Sequence, residues 1–466
     1  MTNFCPAYPT PRVAKSSALR HFFGARHSWI DGLFERSYRM QMGEVHLPGK
    51  HLYMVNDPSL VRQILVHQSA EFPKSPLLGE ALAPLLGHSV LTTNAAQWQR
   101  QRAMMQPAFA QGRLQAALPA MERACADMML RLAAHPVGQA CDMEREMTHV
   151  TADVMFRTIF SQPVESDDAK QVFDAFARFQ TLAPRLMLPV MYGVRWLKWP
   201  VTTWRSHQAA REIRSLLGRL VRPRYDAAQV GTVGVEDDVL SAFLAARDPI
   251  DGTPFSFDEL LDQIATLFLA GHETSASALS WAMHLLAHSP TVQERMAVEA
   301  TTLQRDRAVK AGDLKQLELT WNVFRETLRL FPPVGFLPRQ AAQTCPMRDK
   351  TVPKGASVMI SPWLIQRHRT FWDRPDEFDP DRYADDQSRE SLRAAYLPFG
   401  LGPRACIGAT FALQEAVLIL ARVVGHFHIE PVTDHVPQPV GRLTIRSANG
   451  IQVLLRSRAA AVGNVT

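Results

Sequence analysis

The chain has 466 residues, of which 46% are hydrophobic and 21% are charged, and its formal net charge is +6. This composition predicts a globular protein with one large hydrophobic core or two ordinary ones. The lysines and arginines are scattered along the chain, which argues against a nucleic-acid-binding protein and favours a basic patch that faces an acidic protein partner.

Cysteine usage and the N-terminal segment bear on the cellular compartment. The five cysteines include no C-x-x-C pair and no cysteine and histidine set at zinc-binding spacing, which favours a reducing environment. Prolines and charges interrupt the N-terminal segment, so we expect no signal peptide or membrane anchor there. The apolar stretch 182–200 also contains prolines and basic residues, and it is predicted to be a surface-lying or lid segment.

The first predicted elements are a hairpin and a helix. Residues 43–55 form two alternating runs around a Pro-Gly-Lys turn, which is typical of a β-hairpin. Asp57 and Pro58 then supply the cap and the first position of a helix. From 95 to 290 the pattern is mainly helical, with prolines that mark the turns between helices.

The last third of the chain combines helices with short strands. Residues 356–360 predict a strand, and Asn449 and Gly450 predict the turn of a second hairpin within LTIRSANGIQVLL. No internal repeat and no clear domain boundary is visible. The sequence therefore predicts one mainly α domain with small β-sheets, extending over residues 1–466.

A long apolar helix is predicted around the stretch LFLAGHETSASALSW. Gly271 removes a side chain where a ligand could approach, and the Thr274 hydroxyl can donate back to the Ala270 carbonyl, which weakens the helix locally. Glu273 places an acid beside this alcohol, an arrangement that suits proton delivery. Taken alone, these residues would equally fit an ordinary half-buried helix.

Two residue pairs at helical spacing are weak indications by themselves. Glu326 and Arg329 stand three apart on one predicted helix face in FRETLRLFPP, and such a pair is usually exposed and contributes under about 1 kcal/mol. Trp98 and Arg102 stand four apart in QWQRQRAMMQPAF, which is a common spacing. Neither pair indicates a functional site without further context.

The most informative motif is the loop FGLGPRACIGA. Gly400 and Gly402 permit a bulged turn, and Arg404 places a cation two residues before Cys406. Gly408 then opens a long apolar helix, so we expect the helix dipole and backbone N–H groups to lower the pKa of the thiol. The other cysteines fit buried small hydrophobic residues. An anionic sulfur on a glycine-lined bulge could bind the iron of a flat macrocycle.

This loop resembles the haem-binding loop of the cytochrome P450 family, F-x-x-G-x-R-x-C-x-G, and further motifs follow the family's order. The matching residues are Trp98 and Arg102 (W-x-x-x-R), Ala270, Gly271, Glu273 and Thr274 (A-G-x-[DE]-T), Glu326 and Arg329 (E-x-x-R), Arg382 within FDPDRY, and Phe399, Gly400, Gly402, Arg404, Cys406 and Gly408 in the loop.

The resemblance implies the cytochrome P450 fold, with haem b between the helix that carries Thr274 and the helix that follows Cys406. Cys406 would be the axial thiolate ligand of the haem iron, a ligand that favours cleavage of the O–O bond. Thr274 and Glu273 would be the catalytic residues, because they would deliver protons during oxygen activation.

The resemblance also assigns roles to the other motif residues. The implied haem-binding residues are Trp98, Arg102, Arg339, Phe399, Gly400, Arg404 and Gly408. The arginines of this set would clamp the haem propionates, because a guanidinium group binds a carboxylate bidentately. Glu326, Arg329 and Arg382 would form a buried structural triad needed for haem incorporation, because buried charges require partners.

Two classes of function are compatible with these residues. The first is a monooxygenase that inserts one atom of O₂ into a hydrophobic small molecule, such as a lipid or a terpenoid. The second is a haem-thiolate protein without O₂ activation, such as a sensor, an isomerase or a peroxygenase. The pair Glu273 and Thr274 favours the monooxygenase, because a sensor has no use for a proton relay.

The redox partner and the location follow as expectations. The stretch after Gly408 is too short for a reductase domain, so electrons are expected from a separate ferredoxin or flavodoxin with its reductase. The apparent absence of a transmembrane anchor resembles soluble bacterial members of the family and implies a cytoplasmic location. Arg100, Arg113, Arg389 and Arg393 are the predicted docking face, although scattered cations would equally fit an ordinary solvated surface.

The predicted substrate pocket is mainly apolar. Its walls are expected from 76–90, 182–199, Phe268, Ala270, 334–337 and 447–449. Such walls suit a lipid, a terpenoid or another hydrophobic molecule.

Overall fold

The computed structural model describes residues 3–13, 28–47, 50–180, 182, 200–232, 236–303, 308–384 and 386–458. The predicted lid, 182–200, lies almost entirely outside these residues. The described α-helices are α1 (Pro58–Arg62), α2 (Pro76–Leu86), α3 (Ala95–Met105), α4 (Gln111–Ala133), α5 (Met143–Phe160), α6 (Asp167–Gln180), α7 (Pro200–Gln229), α8 (Val239–Ala245), α9 (Phe257–Ala287), α10 (Pro290–Ala300), α11 (Ala311–Lys315), α12 (Glu318–Leu330), α13 (Pro362–Ile365), α14 (Asp386–Ala395) and α15 (Ala409–His426).

The strands are short and form four small sheets within the described part of the chain. They are β1 (Met42–Leu47), β2 (Lys50–Val55), β3 (Cys141–Asp142), β4 (Leu337–Gln340), β5 (Cys345–Met347), β6 (Lys350–Val352), β7 (Ser357–Ile360), β8 (Phe427–Pro431), β9 (Pro439–Gly441), β10 (Ile445–Ser447) and β11 (Gln452–Ser457). The sheets have the orders β1-β2-β7-β4, β10-β9, β3-β11-β8 and β5-β6. A mainly α fold with small β-sheets is therefore confirmed.

The first predicted hairpin and the helix after it are confirmed. β1 and β2 pair antiparallel, with Met42 opposite Val55. The Asp57 side chain accepts hydrogen bonds from the first backbone N–H groups of α1, and Pro58 occupies the first helical position. β2 also pairs in parallel with β7, which confirms the predicted strand near 356–360.

The second predicted hairpin is wrong, because β10 and β11 belong to different sheets. β10 pairs with β9, whereas β11 pairs with β3 and β8. The Ile445 carbonyl at the start of β10 accepts hydrogen bonds from Ser277 and Trp281 of α9 at 2.7 and 2.9 Å. Gly450 does turn the chain, with φ +76°, but α9 holds the preceding strand away from β11.

α9 runs through the centre of the structure. A capping box between Ser256 and Glu259 starts the helix directly after a polar, turn-rich segment. Most of its side chains are buried around the whole helix, as expected for a core helix rather than an amphipathic one. Its first half packs in a cluster with α5, α6 and α7, and its second half in another with α12 and α15.

α15 is the one helix among the described residues that is long and apolar enough to cross a membrane, with a mean hydropathy of 1.3. Half of it is buried inside the protein. The buried side chains include Val417, Leu418 and Leu420, which belong to the same hydrophobic cluster as α12 and the second half of α9. These contacts are typical of a core helix.

Candidate active site

A cavity of about 460 Å³ lies between α9 and the loop that precedes α15. Ala270, Gly271 and Thr274 of α9 line one side, and residues 397–401 and 404–408 of the loop line the other. Trp98 and Arg102 of α3 and Arg339 of β4 also line it. The structure therefore brings together segments that lie far apart in the sequence.

The walls of the cavity match the predicted pocket in part. Leu78 and Val90 line it, as do Ala270 and residues 334 and 336–337. Phe268 does not, because its ring is buried between Phe156 and Phe176, with centroid distances of 4.8 and 4.7 Å. Residues 447–449 do not line it either, and 183–199 lie outside the described residues.

The loop around Cys406 turns sharply before α15 begins. Gly400 and Gly402 have φ values of +69° and +71°, and the Cys406 N–H donates to the Phe399 carbonyl at 2.9 Å. A Cβ atom at Gly402 would overlap the Leu65 carbonyl of the π-helical turn Gln63–His67. The positive φ values confirm the predicted bulged turn, and Gly402 is also required for packing of the loop against the π-helical turn.

Cys406 lines the cavity and is accessible from it, although protein surrounds the thiol. Burial raises the pKa of this thiol, and the Gly408 N–H and the charge of Arg102 only partly offset that effect. The expected lowering of the thiol pKa is therefore wrong for the protein alone, because removal from water outweighs the N–H donor at the helix start. A cation that binds the sulfur would supply the missing stabilisation of the thiolate.

Among the cationic side chains that line the cavity, four form one cluster whose members repel one another, namely Lys74, Arg102, Arg339 and Arg404. Burial lowers the pKa of both Arg339 and Arg404 to about 10, and repulsion from the other arginines contributes at Arg404. The pKa of Lys74 is lowered well below its ordinary value by burial and by these arginines. The cluster therefore requires an anionic group.

No acidic side chain supplies that anionic group among the described residues of the cavity. Asp237 and Asp238 line it, but they pair with Arg113 and Arg224. The two propionates of haem have the charge that the cluster needs. The apolar remainder of the wall and the cavity-facing thiol also fit this cofactor.

The predicted haem-binding residues differ in their present contacts. Arg102 donates to the Ala405 carbonyl at 3.0 Å, so it fastens α3 to the loop. Arg404 donates to the Thr93 carbonyl at 2.9 Å and stacks over the Trp98 ring, 3.9 Å from its centroid. Trp98 therefore positions Arg404, whereas Arg339 donates only to the adjacent Pro338 carbonyl among the described residues.

Lys74 was missed by the sequence analysis. Its ammonium group donates to the Leu91 carbonyl at 2.9 Å, and a backbone bridge joins Lys74 to Arg339. A single lysine before a helix carries no distinguishing signal, because most lysines are exposed. Lys74 lies among the cationic residues of the cavity only because its segment meets those of Leu91 and Arg339 in the folded chain.

Thr274 lines the cavity and donates to the Ala270 carbonyl at 2.7 Å, as predicted. Gly271 also lines the cavity, where we expected a side chain to be absent, and it has a second structural role. A Cβ atom at Gly271 would overlap the Met155 side chain of α5. The glycine therefore accommodates a neighbouring helix as well as lining the cavity.

Glu273 points away from the cavity into a buried polar cluster, and it is only 5% exposed. Arg446 Nη2 donates to Glu273 Oε2 at 2.6 Å, and the Thr444 hydroxyl donates to Oε1 at 2.6 Å. Gln180 donates to the same carboxylate. Burial raises the pKa of Glu273, but Arg446 and these donors outweigh burial and hold it below the ordinary value. The expected direct relay from Glu273 therefore conflicts with its orientation and its ionised state.

The Glu326, Arg329 and Arg382 side chains meet in the interior. Arg329 Nε and Arg382 Nε each donate to the Glu326 carboxylate at 2.8 Å, and Glu326 is 0% exposed. The Tyr383 hydroxyl and the Asp379 N–H donate to the same carboxylate at 2.9 and 3.1 Å. Glu326 thus accepts hydrogen bonds from Arg329 on the same helix and from Arg382 in a distant segment, and its carboxylate is fully hydrogen-bonded.

The predicted docking arginines do not form one free basic surface. Arg100 pairs with Asp248 and Glu259, both at 2.8 Å, at the start of α9. Arg113 pairs with Asp237. Arg393 is exposed, and the side chain of Arg389 lies outside the described residues.

Comparison with known proteins identifies related chains. The family model described as Cytochrome P450 matches residues 22–454. Cyclooctatin synthase of Streptomyces melanosporofaciens is 34% identical over 411 residues, which cover 86% of each chain. Pentalenene oxygenase of Streptomyces avermitilis is 30% identical over 408 residues, covering 87% of this chain and 88% of that protein. The solved haem domain of cytochrome P450DA covers 90% of both chains with a TM-score of 0.78 and 24% identity, a likeness of fold.

Proposed function

The chain belongs to the cytochrome P450 family and is a haem-dependent monooxygenase, and from this premise we propose that it hydroxylates a terpenoid with electrons from a separate ferredoxin or flavodoxin. The observation that carries the site assignment is the position of the Cys406 thiol and Thr274 on the same cavity. The monooxygenase is favoured over a sensor, isomerase or peroxygenase because the Thr274 hydroxyl group lies on the part of α9 that lines this cavity.

Haem supplies the O₂ and one-electron chemistry when it is bound. In the proposed site Cys406 binds the iron, and Lys74, Arg102, Arg339 and Arg404 bind the propionates. Phe399, Gly400 and Gly408 shape the loop, and Trp98 orients Arg404 through the stacking contact. The triad Glu326, Arg329 and Arg382 holds the short helical turn Pro380–Ala384 against α12, and residues 1–466 are proposed to act as one domain.

Thr274 has a specific task in this proposal. Its hydroxyl can release the Ala270 carbonyl and turn its hydrogen bond toward the cavity, where it would orient a proton for oxygen activation. Glu273 contributes indirectly, because its ion pair with Arg446 fastens α9 to β10 one residue before Thr274.

The Thr274→Ala variant is expected to bind haem and substrate normally but to convert several-fold less of the consumed NADH into product. Without the hydroxyl, proton delivery loses its selectivity, and reducing equivalents are released as hydrogen peroxide. The measurement is product and peroxide per NADH with a surrogate ferredoxin system. The Thr274→Ser variant keeps the hydroxyl and serves as the control, and unchanged coupling in the alanine variant would contradict the assigned role.

The substrate proposal rests on the apolar walls and on the relatives. The names cyclooctatin synthase, pentalenene oxygenase and cyclooctat-9-en-7-ol 5-monooxygenase describe proteins that are 34%, 30% and 31% identical to this chain. We expect the sesquiterpene cedrene to shift the haem spin state at lower concentration than palmitate does. Tighter binding of palmitate, with no shift by cedrene, would favour a fatty-acid substrate instead.

The electron donor is proposed to dock beside the Cys406 loop. Arg62 of α1 donates to the Arg393 carbonyl at 3.1 Å, and both side chains are exposed. The π-helical turn after α1 packs against the loop through Gly402. These two cations replace the paired Arg100 and Arg113 as the proposed contact for an acidic partner.

Charge reversal of Arg62 and Arg393 to glutamate is expected to slow the first electron transfer several-fold and to weaken its dependence on ionic strength. Substrate-induced spectral shifts are expected to persist, because the cavity is unaffected. Reversal of Arg211, exposed on α7, is the matched control. An equal reduction rate in the double variant would place the docking face elsewhere.

A cytoplasmic location is part of the proposal. All five cysteines are unpaired, which fits a reducing compartment.

A further inference from the structure

Trp29 lies in the short 3₁₀ helix Trp29–Gly32 and contacts one wall of the cavity from behind. Its side chain is 7% exposed, and it does not line the cavity itself. Its ring meets the ring of Phe336 edge to face, with a centroid distance of 4.5 Å. Phe336 and Val334 do line the cavity. Trp29 therefore supports a wall segment that ligands would contact from the other side.

Two glycines make room for this indole ring. A Cβ atom at Gly335, between the two wall residues, would overlap the six-membered part of the ring. A Cβ atom at Gly441 of β9 would overlap the five-membered part. Neither glycine adopts the left-handed backbone conformation. Both positions therefore require glycine because the ring lies directly against the backbone.

The wall segment, residues 334–336, belongs to no helix or strand and ends where β4 begins. The Ser361 hydroxyl donates to the Gly335 carbonyl at 3.0 Å. The Gly441 N–H donates to the Ser28 hydroxyl oxygen at 3.0 Å, which fixes the start of the 3₁₀ helix against β9. The indole ring is thus held in place from the side of β9. In a closely packed interior, its opposite edge determines how far the wall segment can recede from the cavity.

We propose that Trp29 is a positioning residue that determines which hydrophobic ligands the cavity accepts. It acts through Val334 and Phe336, because a smaller ring leaves space into which these side chains and their backbone can shift. The cavity would then widen without any change in the residues that line it. The inference concerns substrate selectivity, so it rests on the monooxygenase function proposed above.

The first test compares two iron-binding probes, imidazole and phenylimidazole, whose spectral titrations do not depend on the natural substrate. Trp29→Phe removes the part of the ring that faces Gly335. We expect the wall to recede and the dissociation constant of phenylimidazole to fall several-fold relative to that of imidazole. Gly335→Ala is expected to shift this ratio in the opposite direction, because its methyl group displaces the wall toward the cavity.

The double variant Trp29→Phe with Gly335→Ala is expected to restore the wild-type ratio, because the methyl group occupies the space that the smaller ring leaves. If Gly335→Ala alone fails to bind haem, the double variant is expected to recover haem binding. A purely structural role of Trp29 would lower the midpoint of urea unfolding in both single variants without opposite shifts of the ratio.

Trp321→Phe is the matched control, because Trp321 lies on α12 and, like Trp29, does not itself line the cavity. Its ratio of dissociation constants is expected to equal that of the wild type. Equal ratios in all variants, shifts of the same sign in both single variants, or a double variant that resembles Gly335→Ala would each overturn the proposal.

The second test is the distribution of products from cedrene with a surrogate ferredoxin. We expect Trp29→Phe to hydroxylate additional positions, with a larger change in KM than in kcat, and the double variant to return to the wild-type products. Identical product distributions in the wild type and Trp29→Phe would overturn the proposal. Failure of the wild type to bind or oxidise cedrene would instead contradict the proposed terpenoid substrate, and the probe titrations would still decide the role of Trp29.

Discussion

Replacement of Cys406 by alanine is expected to abolish monooxygenation and to remove the red-shifted Soret band of the reduced, carbon-monoxide-bound protein. Cys406 is the one cysteine that lines the cavity among the described residues. Alanine leaves the bulged loop intact but provides no ligand atom, and no neighbouring side chain of the loop can replace the sulfur. Loss of activity should therefore be complete rather than partial.

The control for this prediction is Cys345→Ala, which removes a thiol from β5, outside the cavity. Its spectrum and activity are expected to match those of the wild type. A red-shifted Soret band that survives in Cys406→Ala would show that another residue binds the iron.

Removal of either partner from the buried pair Glu326 and Arg329 is expected to destabilise the fold by about 3–5 kcal/mol, because one charge remains buried without its counterpart. Each single alanine variant should accumulate as haem-free or misfolded protein. Haem content per polypeptide and the midpoint of urea unfolding measure the effect. Arg325→Ala, an exposed arginine on the same helix, is expected to behave like the wild type.

The triad also predicts the direction of the pH dependence. Burial raises the pKa of Glu326, but Arg329 and Arg382 outweigh burial and lower it below its ordinary value of 4.5. A carboxyl group whose pKa is lower in the folded protein stabilises the fold above its unfolded pKa, and the contribution is lost as the pH falls through its folded pKa. Normal haem content in both alanine variants, with unchanged acid stability, would contradict the structural role of the triad.

Local sequence alone determined the elements whose stabilising contacts lie within a few residues. The cap at Asp57, the first hairpin and the hydrogen bond from Thr274 to Ala270 all follow from short-range geometry, and the structure agrees with each. The loop around Cys406 was recognisable for the same reason, because its glycines and arginine stand at fixed offsets from the thiol.

Only the tertiary structure decided which distant groups share a charge, a strand partner or a cavity. The orientation of Glu273 depends on its ion pair with Arg446 of β10. β11 does not pair with β10, because hydrogen bonds hold β10 against α9. Lys74 likewise lines the cavity only because distant segments meet there. Arg100 is not the free surface cation that we expected, because Asp248 and Glu259 pair with it. Sequence spacing determines which residues are neighbours along a helix or a turn. The pKa of a buried group and the identity of its partner depend instead on every segment that excludes water from it.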